Sequence, residues 1–198
     1  MDLSPLPLFP LQTVLFPGGP LMLRVFEPRY LDMMRRCLKE QGRFGVVMIL
    51  EGAEAGEAVT VAAIGTSGRV VDFDPLPDGL LGITCLGERR FRILKRWRQG
   101  DGLNLAEVEY LPAEDASALP QEFLHLGELL REVLPKLGRG YAHVDARYED
   151  AGWVANRWAE VLPLAPAERL ELLELTDPQR RLAQVAAWSE RQPPASGE

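Results

Sequence analysis

Few residues in this chain could carry chemistry. Its lysines are Lys39, Lys95 and Lys136, and none follows a glycine, so there is no GxxxxGK(S/T) loop to cradle a phosphate. A Ser–Lys dyad would have to draw on the same three, and Lys39 and Lys136 fall near the ends of helical patterns, where a lysine is ordinarily solvated. A zinc site asks for three or four Cys or His ligands at tight spacing, which His125, His143, Cys37 and Cys85 do not have. His125 stands between apolar residues in a helical pattern, which predicts a hydrogen-bonded packing role. "GTSG" (Gly65 to Gly68) lacks the spacing of a nucleophile elbow and does not lead from a strand into a helix, so it reads as a backbone bend. Asp72 and Asp74 share one strand face, as paired acid–base carboxylates would, but they precede a turn, where solvated acids are the plainer reading. No catalytic set, metal site or cofactor is expected.

The strongest local anomaly is basic. In "RRFRILKRWR" (Arg89 to Arg98), strand alternation puts Arg90, Arg92, Arg96 and Arg98 on one face with Leu94 among them, and Phe91, Ile93, Lys95 and Trp97 on the other. The plain reading is a solvated outer face opposite a core face. The functional reading is a basic strip for an acidic peptide or a nucleic-acid phosphate.

The elements that must position these residues change character along the chain. The apolar opening from Leu6 to Tyr30 is interrupted by Pro7, Pro10, Pro17, Pro20 and Pro28. It lacks the basic n-region of a secretory signal, and "FPGGP" would break a membrane helix. Short buried strands and tight turns are expected there. "EPRYLDMMRRCLKEQG" predicts a helix started by Glu27 and Pro28, with Tyr30, Leu31, Met34, Cys37 and Leu38 as its apolar stripe and Gly42 as its stop. "FGVVMIL" reads as a buried strand, "EGAEAGEA" as an acidic loop, and "VTVAAIGTSGRVVDF" as extended with bends at Gly65 and Gly68. "PLPDG" is a turn. "LLGITCLG", "RRFRILKRWR" and "LNLAEVEYL" read as three further strands, the last two joined by a hairpin at "QGDG". Many short strands separated by glycine turns predict a closed or partly closed barrel.

Beyond Pro112 the period becomes helical. Four helices are expected: one carrying Phe123, Leu126, Leu130, Val133 and Leu137; one capped by Asp150 with Val154, Trp158 and Val161 on one side; one beginning at Pro166; and one at Pro178 behind Asp177. The linking "PAEDASALP" and the final "QPPASGE" have the composition of exposed, protease-sensitive chain.

The 198 residues carry a net charge of −7, unevenly placed: residues 1–112 hold 13 Lys+Arg against 14 Asp+Glu, and residues 113–198 hold 9 against 15. That balance opposes nucleic acid as a general partner. Cys37 and Cys85 are far apart, and with no secretory signal they are expected as free, buried thiols in a cytoplasmic protein. No stretch is long and apolar enough to cross a membrane as a helix.

The order of "LPLFPL", "VLFPG", "LRVFEPRY", "AIGTSGRV", "ITCLGERRFRI" and "LAEVEYL" resembles the N-terminal substrate-binding domain of Lon proteases in its stand-alone bacterial form, over about residues 4–112. "FEPRY" is the most specific of these matches, and the helical part is similar to the family's helical extension. The resemblance implies an α+β fold: a PUA-like β-barrel (pseudobarrel) with one helix over 1–112, an α-helical bundle over 113–191, and a disordered tail over 192–198. It implies binding of unfolded or degron-bearing polypeptide, as an adaptor in protein quality control that could work beside a protease. The ATPase and Ser–Lys protease modules do not occur in these 198 residues, so the implied role is binding and not catalysis. The candidate binding residues are Phe26, Arg29, Tyr30, Arg90 and Arg92. An RNA-binding PUA-like module using the Arg-rich strand 89–98 is the alternative, and self-association stays open.

Overall fold

In the computed structural model, which describes residues 5–52, 59–77 and 80–191, the chain forms six strands and five α-helices. The strands are β1 (Leu6–Leu11), β2 (Pro20–Val25), β3 (Phe44–Glu51), β4 (Thr60–Pro75), β5 (Leu81–Arg98) and β6 (Asn104–Tyr110). The helices are α1 (Pro28–Glu40), α2 (Leu124–Val133), α3 (Ala151–Val161), α4 (Pro166–Glu174) and α5 (Pro178–Arg191). The mixed α+β class expected from the change of period is what the chain adopts. Most of the acidic loop expected over Glu51 to Ala58, the tip of the Pro75 to Gly79 turn and the tail over 192–198 lie outside the described residues.

β1 runs parallel to β3 and antiparallel to β6, while β3–β4, β4–β5 and β5–β6 are antiparallel. Because β6 pairs with both β1 and β5, the ladder of β1, β3, β4, β5 and β6 returns on itself. β2 stands outside that ring. One edge of β5 takes β4, and its other edge takes β2 over Leu81–Leu86 and then β6 over Phe91–Arg98.

β5 corrects the expectation of two strands separated near Gly87. A Cβ at Gly87 would stand 2.2 Å from the Phe16 carbonyl oxygen. The glycine there serves close approach of the Phe16–Gly19 turn and not a break in the strand. Gly87 N–H donates to the Gly19 carbonyl at 2.9 Å, and Gly18 N–H to the Gly87 carbonyl at 2.8 Å. The opening apolar stretch is thereby tied across the middle of the longest strand. The helix stop is also displaced by one residue: Gln41, not Gly42, takes the left-handed conformation after α1 (φ 51°), while Gly42 N–H bonds the Cys37 carbonyl.

The core has three parts. Leu6, Leu8, Val47, Phe91 and Ala106 pack together within the sheet. α1 lays Tyr30, Met33, Met34 and Cys37 against Leu23, Val25, Ile83 and Cys85. The largest part joins the helices to the strand region, because Val14, Phe16, Met48 and Ala62 share it with α2–α5. α3 is its axis, buried from Ala151 to Ala159 with no polar face. Asp150 caps α3 as expected, accepting from Trp153 N–H at 2.8 Å, and Asp177 accepts from Gln179 N–H at 2.9 Å at the start of α5. Three side chains depart from their expected places: Leu38 and Leu137 are exposed, with Leu134 buried in place of Leu137, and His125 lies on the solvent side of α2. Cys37 and Cys85 are free and buried.

Candidate functional site

β2 alternates cleanly. Leu23 and Val25 are buried beneath α1, and Met22, Arg24 and Phe26 face outward. Met22 on β2 is 61% exposed and Phe26, the residue after the strand, is 60% exposed, with Arg24 outward between them. β2 bonds β5 on one side and ends the order of strands, so among the described residues its second side is a sheet edge.

The rest of "FEPRY" is consumed in holding this junction. Tyr30 is 3% exposed and stacks on Phe9 with centroids 4.1 Å apart. Arg29 lies over the Tyr30 ring at 4.7 Å, pairs with Glu27 at 2.7 Å and donates to the Gly102 carbonyl at 3.0 Å. Arg29 therefore staples the entrance of α1 to the β5–β6 turn. Of the three candidate residues here, Phe26 alone presents its side chain to solvent.

The Arg-rich strand is not one basic face. The β5–β6 register shifts between Ile93 and Lys95, so Leu94 is the extra residue of a bulge. Opposed residues of an antiparallel pair share a face. Arg92 and Lys95 thus stand opposite Glu109 and Glu107, while Arg96 and Arg98 fall on the face of Phe91 and Ile93. Alternation counted through the bulge assigns the second half of the strand to the wrong face. Arg92 sits 3.6 Å from Glu109, Arg96 donates to the Val59 carbonyl at 2.8 Å, and Arg98 donates to the Gly102 carbonyl at 3.1 Å.

Arg90 departs furthest from a solvated face. Its side chain is buried, pairs with Glu114 at 2.8 Å and donates to the Leu173 and Leu175 carbonyls at 2.7 and 2.6 Å. Arg181 shares Glu114, at 2.6 and 2.9 Å, and donates to the Leu172 carbonyl at 2.9 Å and to that of Leu175. The physical reason lies in α4. Its last carbonyls have no helical partners, and its C-terminal end favours cations. Two guanidinium groups supply the missing donors and Glu114 lies between them. Burial lowers the Arg90 pKa, Glu114 opposes that, and Arg181 adds to it.

A second buried ion pair was not anticipated from the sequence. Arg157 forks onto Glu160 at 2.9 and 2.7 Å and donates to the Pro17 carbonyl at 3.0 Å, and the Tyr141 hydroxyl donates to Glu160 at 3.2 Å. Burial raises Glu160 above the usual carboxylate range, against Arg157 and the Tyr141 hydrogen bond. Burial and Glu160 together push the Tyr141 hydroxyl up. The signal was two charges three residues apart in "GWVANRWAEV", a helix with no polar face to receive them. Arg181, lying beside Arg180, carried no such signal.

Asp72 and Asp74 are exposed, with Asp72 3.6 Å from His143. No group of three or more His, Cys, Asp or Glu among the described residues could hold a metal. No described helix is long and apolar enough to cross a membrane. Met22 and Phe26 stand exposed beside a sheet edge, with Arg24 between them.

Comparison with known proteins adds a lineage. The profile of the ATP-dependent protease La (LON) substrate-binding domain matches residues 5–188. The crystal structure of a Lon N-terminal domain protein from Xanthomonas campestris is 39% identical, with a TM-score of 0.76 over 93% of this chain and 98% of that one. The N-terminal domain of Mycobacterium avium complex Lon protease shares the fold at 19% identity, with a TM-score of 0.66 over 94% of this chain and 98% of that one. The Lon protease of Phenylobacterium zucineum is 28% identical over 188 residues, which is 90% of this chain and 23% of that protein. The chain spans about a quarter of the curated Lon proteases it matches.

Proposed function

The chain belongs to the Lon substrate-binding domain family, and from that premise we propose that it is a non-enzymatic recognition module for unfolded or degron-bearing polypeptide, acting as an adaptor in protein quality control beside a protease. The observation that carries this reading is the exposed pair Met22 on β2 and Phe26 at its end. Non-native chains differ from native ones in offering apolar side chains and unpaired backbone, and an uncovered apolar strand face is what can receive them. Phe26 is the contact residue of the "FEPRY" junction, and Arg29 and Tyr30 are positioning residues. Arg90 clamps α4, and Arg92 is a rim charge. We read the closed ladder with β2 at its side as a PUA-like barrel over 1–112 and α2–α5 as its helical bundle over 113–191. The two buried free thiols fit a reducing cytoplasm.

RNA is disfavoured as the partner. Arg90, Arg92, Arg96 and Arg98 each have a protein partner, and the net charge is −7.

Apolar burial gives about 25 cal/mol per Å², and ordering the bound segment removes part of it, so affinity on the order of micromolar is expected. The test is a titration with one model protein in two forms, reduced and unfolded or oxidised and folded. Binding of the unfolded form alone is expected, with no ATP or casein turnover. Equal affinity for both forms, or no binding of either at high micromolar concentration, would refute the proposal.

A further inference from the structure

The backbone of β2 carries more information than its side chains. Gly87 N–H donates to the Gly19 carbonyl, and the β2–β5 register then runs without a shift from Pro20↔Leu86 to Val25↔Leu81. In an antiparallel pair, residues that exchange hydrogen bonds alternate with residues that do not. Counting from Gly19, the residues bonded to β5 are Leu21, Leu23 and Val25. Pro20, Met22 and Arg24 direct their backbone groups away from β5. Pro20 agrees with this count, since a proline is tolerated in a strand where no N–H is needed by the neighbour. Met22 therefore presents an outward side chain and an outward N–H and carbonyl at the same place.

We infer that the β2 edge from Met22 to Val25 takes up an extended polypeptide segment as an additional strand, with apolar side chains two or four residues apart resting on Met22 and on Phe26 just beyond the strand. This inference rests on the polypeptide-recognition reading above and names how that recognition is made. The 3-10 turn Arg139–His143 closes over the Pro20 end, where Gly140 lies against Pro20 and Met22. From Met22 to the end of the strand at Val25 the edge is about four residues, or roughly 13 Å at about 3.3 Å per residue. Met22 and Phe26 together offer on the order of 200 Å², far below the roughly 800 Å² that each partner buries in a stable folded interface. A short segment that gains main-chain hydrogen bonds suits such a site, and a folded partner does not. A second copy of this chain is disfavoured for another reason: antiparallel β2–β2 pairing centred on Arg24 would set two guanidinium groups against each other.

The test compares Met22→Ala with Met22→Pro in the full chain, using reduced, unfolded lactalbumin as the probe. Both variants lose the side chain, but only the proline also loses the outward N–H. Met22→Ala is expected to weaken binding a few-fold and Met22→Pro about tenfold further, with melting temperatures within a few degrees of each other. In the wild-type chain, saturating probe should slow amide exchange at Met22 at least tenfold, a readout that stands even if the proline variant melts. Equal binding by the two folded variants, or unchanged exchange at Met22, would overturn strand addition while leaving polypeptide recognition intact. Probe-independent protection at Met22 that grows with protein concentration would assign the edge to a second copy and overturn it as well. Failure of the wild-type chain to bind the probe would remove the underlying recognition reading too.

Discussion

Arg90 and Arg92 lie two residues apart on β5, and removing them should have very different consequences. Arg90→Ala takes away the donors to the Leu173 and Leu175 carbonyls and one partner of Glu114. Breaking a buried pair costs about 3–5 kcal/mol when it strands a charge. Here Glu114 and the Leu175 carbonyl both keep Arg181, so the lower end applies, about 3 kcal/mol, mostly from the Leu173 carbonyl left without its donor, at about 1–3 kcal/mol. Arg92 and Glu109 are 53% and 58% exposed and 3.6 Å apart, and such a pair contributes about 0–1 kcal/mol. Urea denaturation followed by tryptophan fluorescence measures both. With an m-value of about 2 kcal/mol/M, Arg90→Ala should lower the midpoint by about 1.5 M, or the melting temperature by about 6–12 °C. Arg92→Ala should shift the midpoint by less than about 0.5 M. Arg90→Lys should fall between Arg90→Ala and wild type, because an ammonium cannot reproduce the planar fork. If Arg90→Ala costs no more than Arg92→Ala, the clamp on α4 is wrong and Arg90 belongs to a solvated face.

Three further outcomes are expected. Gly19→Ala should destabilise by about 1–3 kcal/mol in a thermal melt, because its Cβ would stand 1.8 Å from Glu160 Oε1, which Arg157 holds in place; Gly100→Ala, with nothing within 4 Å, should be neutral. Cys85 is pushed up to about 12 by burial, from 9.0. A raised acid keeps its proton in the folded state while the unfolded chain releases it, so this stability is present below pH 9 and is lost as pH rises towards 12, by at most about 1.4 kcal/mol per pH unit; denaturation midpoints of wild type and Cys85→Ala should converge across that range, and a constant difference would contradict it. The link over residues 112–120 should resist Glu-C protease in the native chain, although its composition reads as exposed. Ala118 bridges Asp150, Leu119 N–H bonds the Glu149 carbonyl, and Glu114 lies in the arginine cluster, so first cleavage at Glu114 would contradict this pinning.

The parts of the fold that were legible are those decided by local physics. Asp150, Asp177, Pro166 and Pro178 announce helix starts because capping and proline geometry act within one turn. The "QGDG" hairpin was legible for a similar reason: Gly102 takes φ 87° and closes the turn onto Gln99. What failed depended on contacts made at long range. Gly87 looks like a break until Phe16 is known to cross it. Arg90 looks solvated until the end of α4, some 83 residues away, is known to need donors. The face of Arg96 is lost once a bulge at Leu94 adds one residue to the count. Phe26 was legible as part of a motif, but its exposure and that of Met22 depend on what packs over the outer side of β2, which is a property of the whole fold.

A binding surface must hold interactions that the fold itself has not already used. Arg29 is spent on Glu27 and Gly102, Arg90 and Arg181 on Glu114 and the end of α4, Arg157 on Glu160 and Pro17, and Arg92 on Glu109. To recruit one of them, a ligand would have to displace an internal partner, and for the buried groups that exchange opposes binding by as much as it gains. Met22 and Phe26 carry no such debt, since their exposed area gains free energy when covered. On the strand-addition proposal, the outward backbone groups of Met22 add main-chain hydrogen bonds to that gain. Recognition built from apolar area and main-chain hydrogen bonds reads little of a partner's sequence and much of its conformation, which is the selectivity that sorting unfolded from folded polypeptide requires.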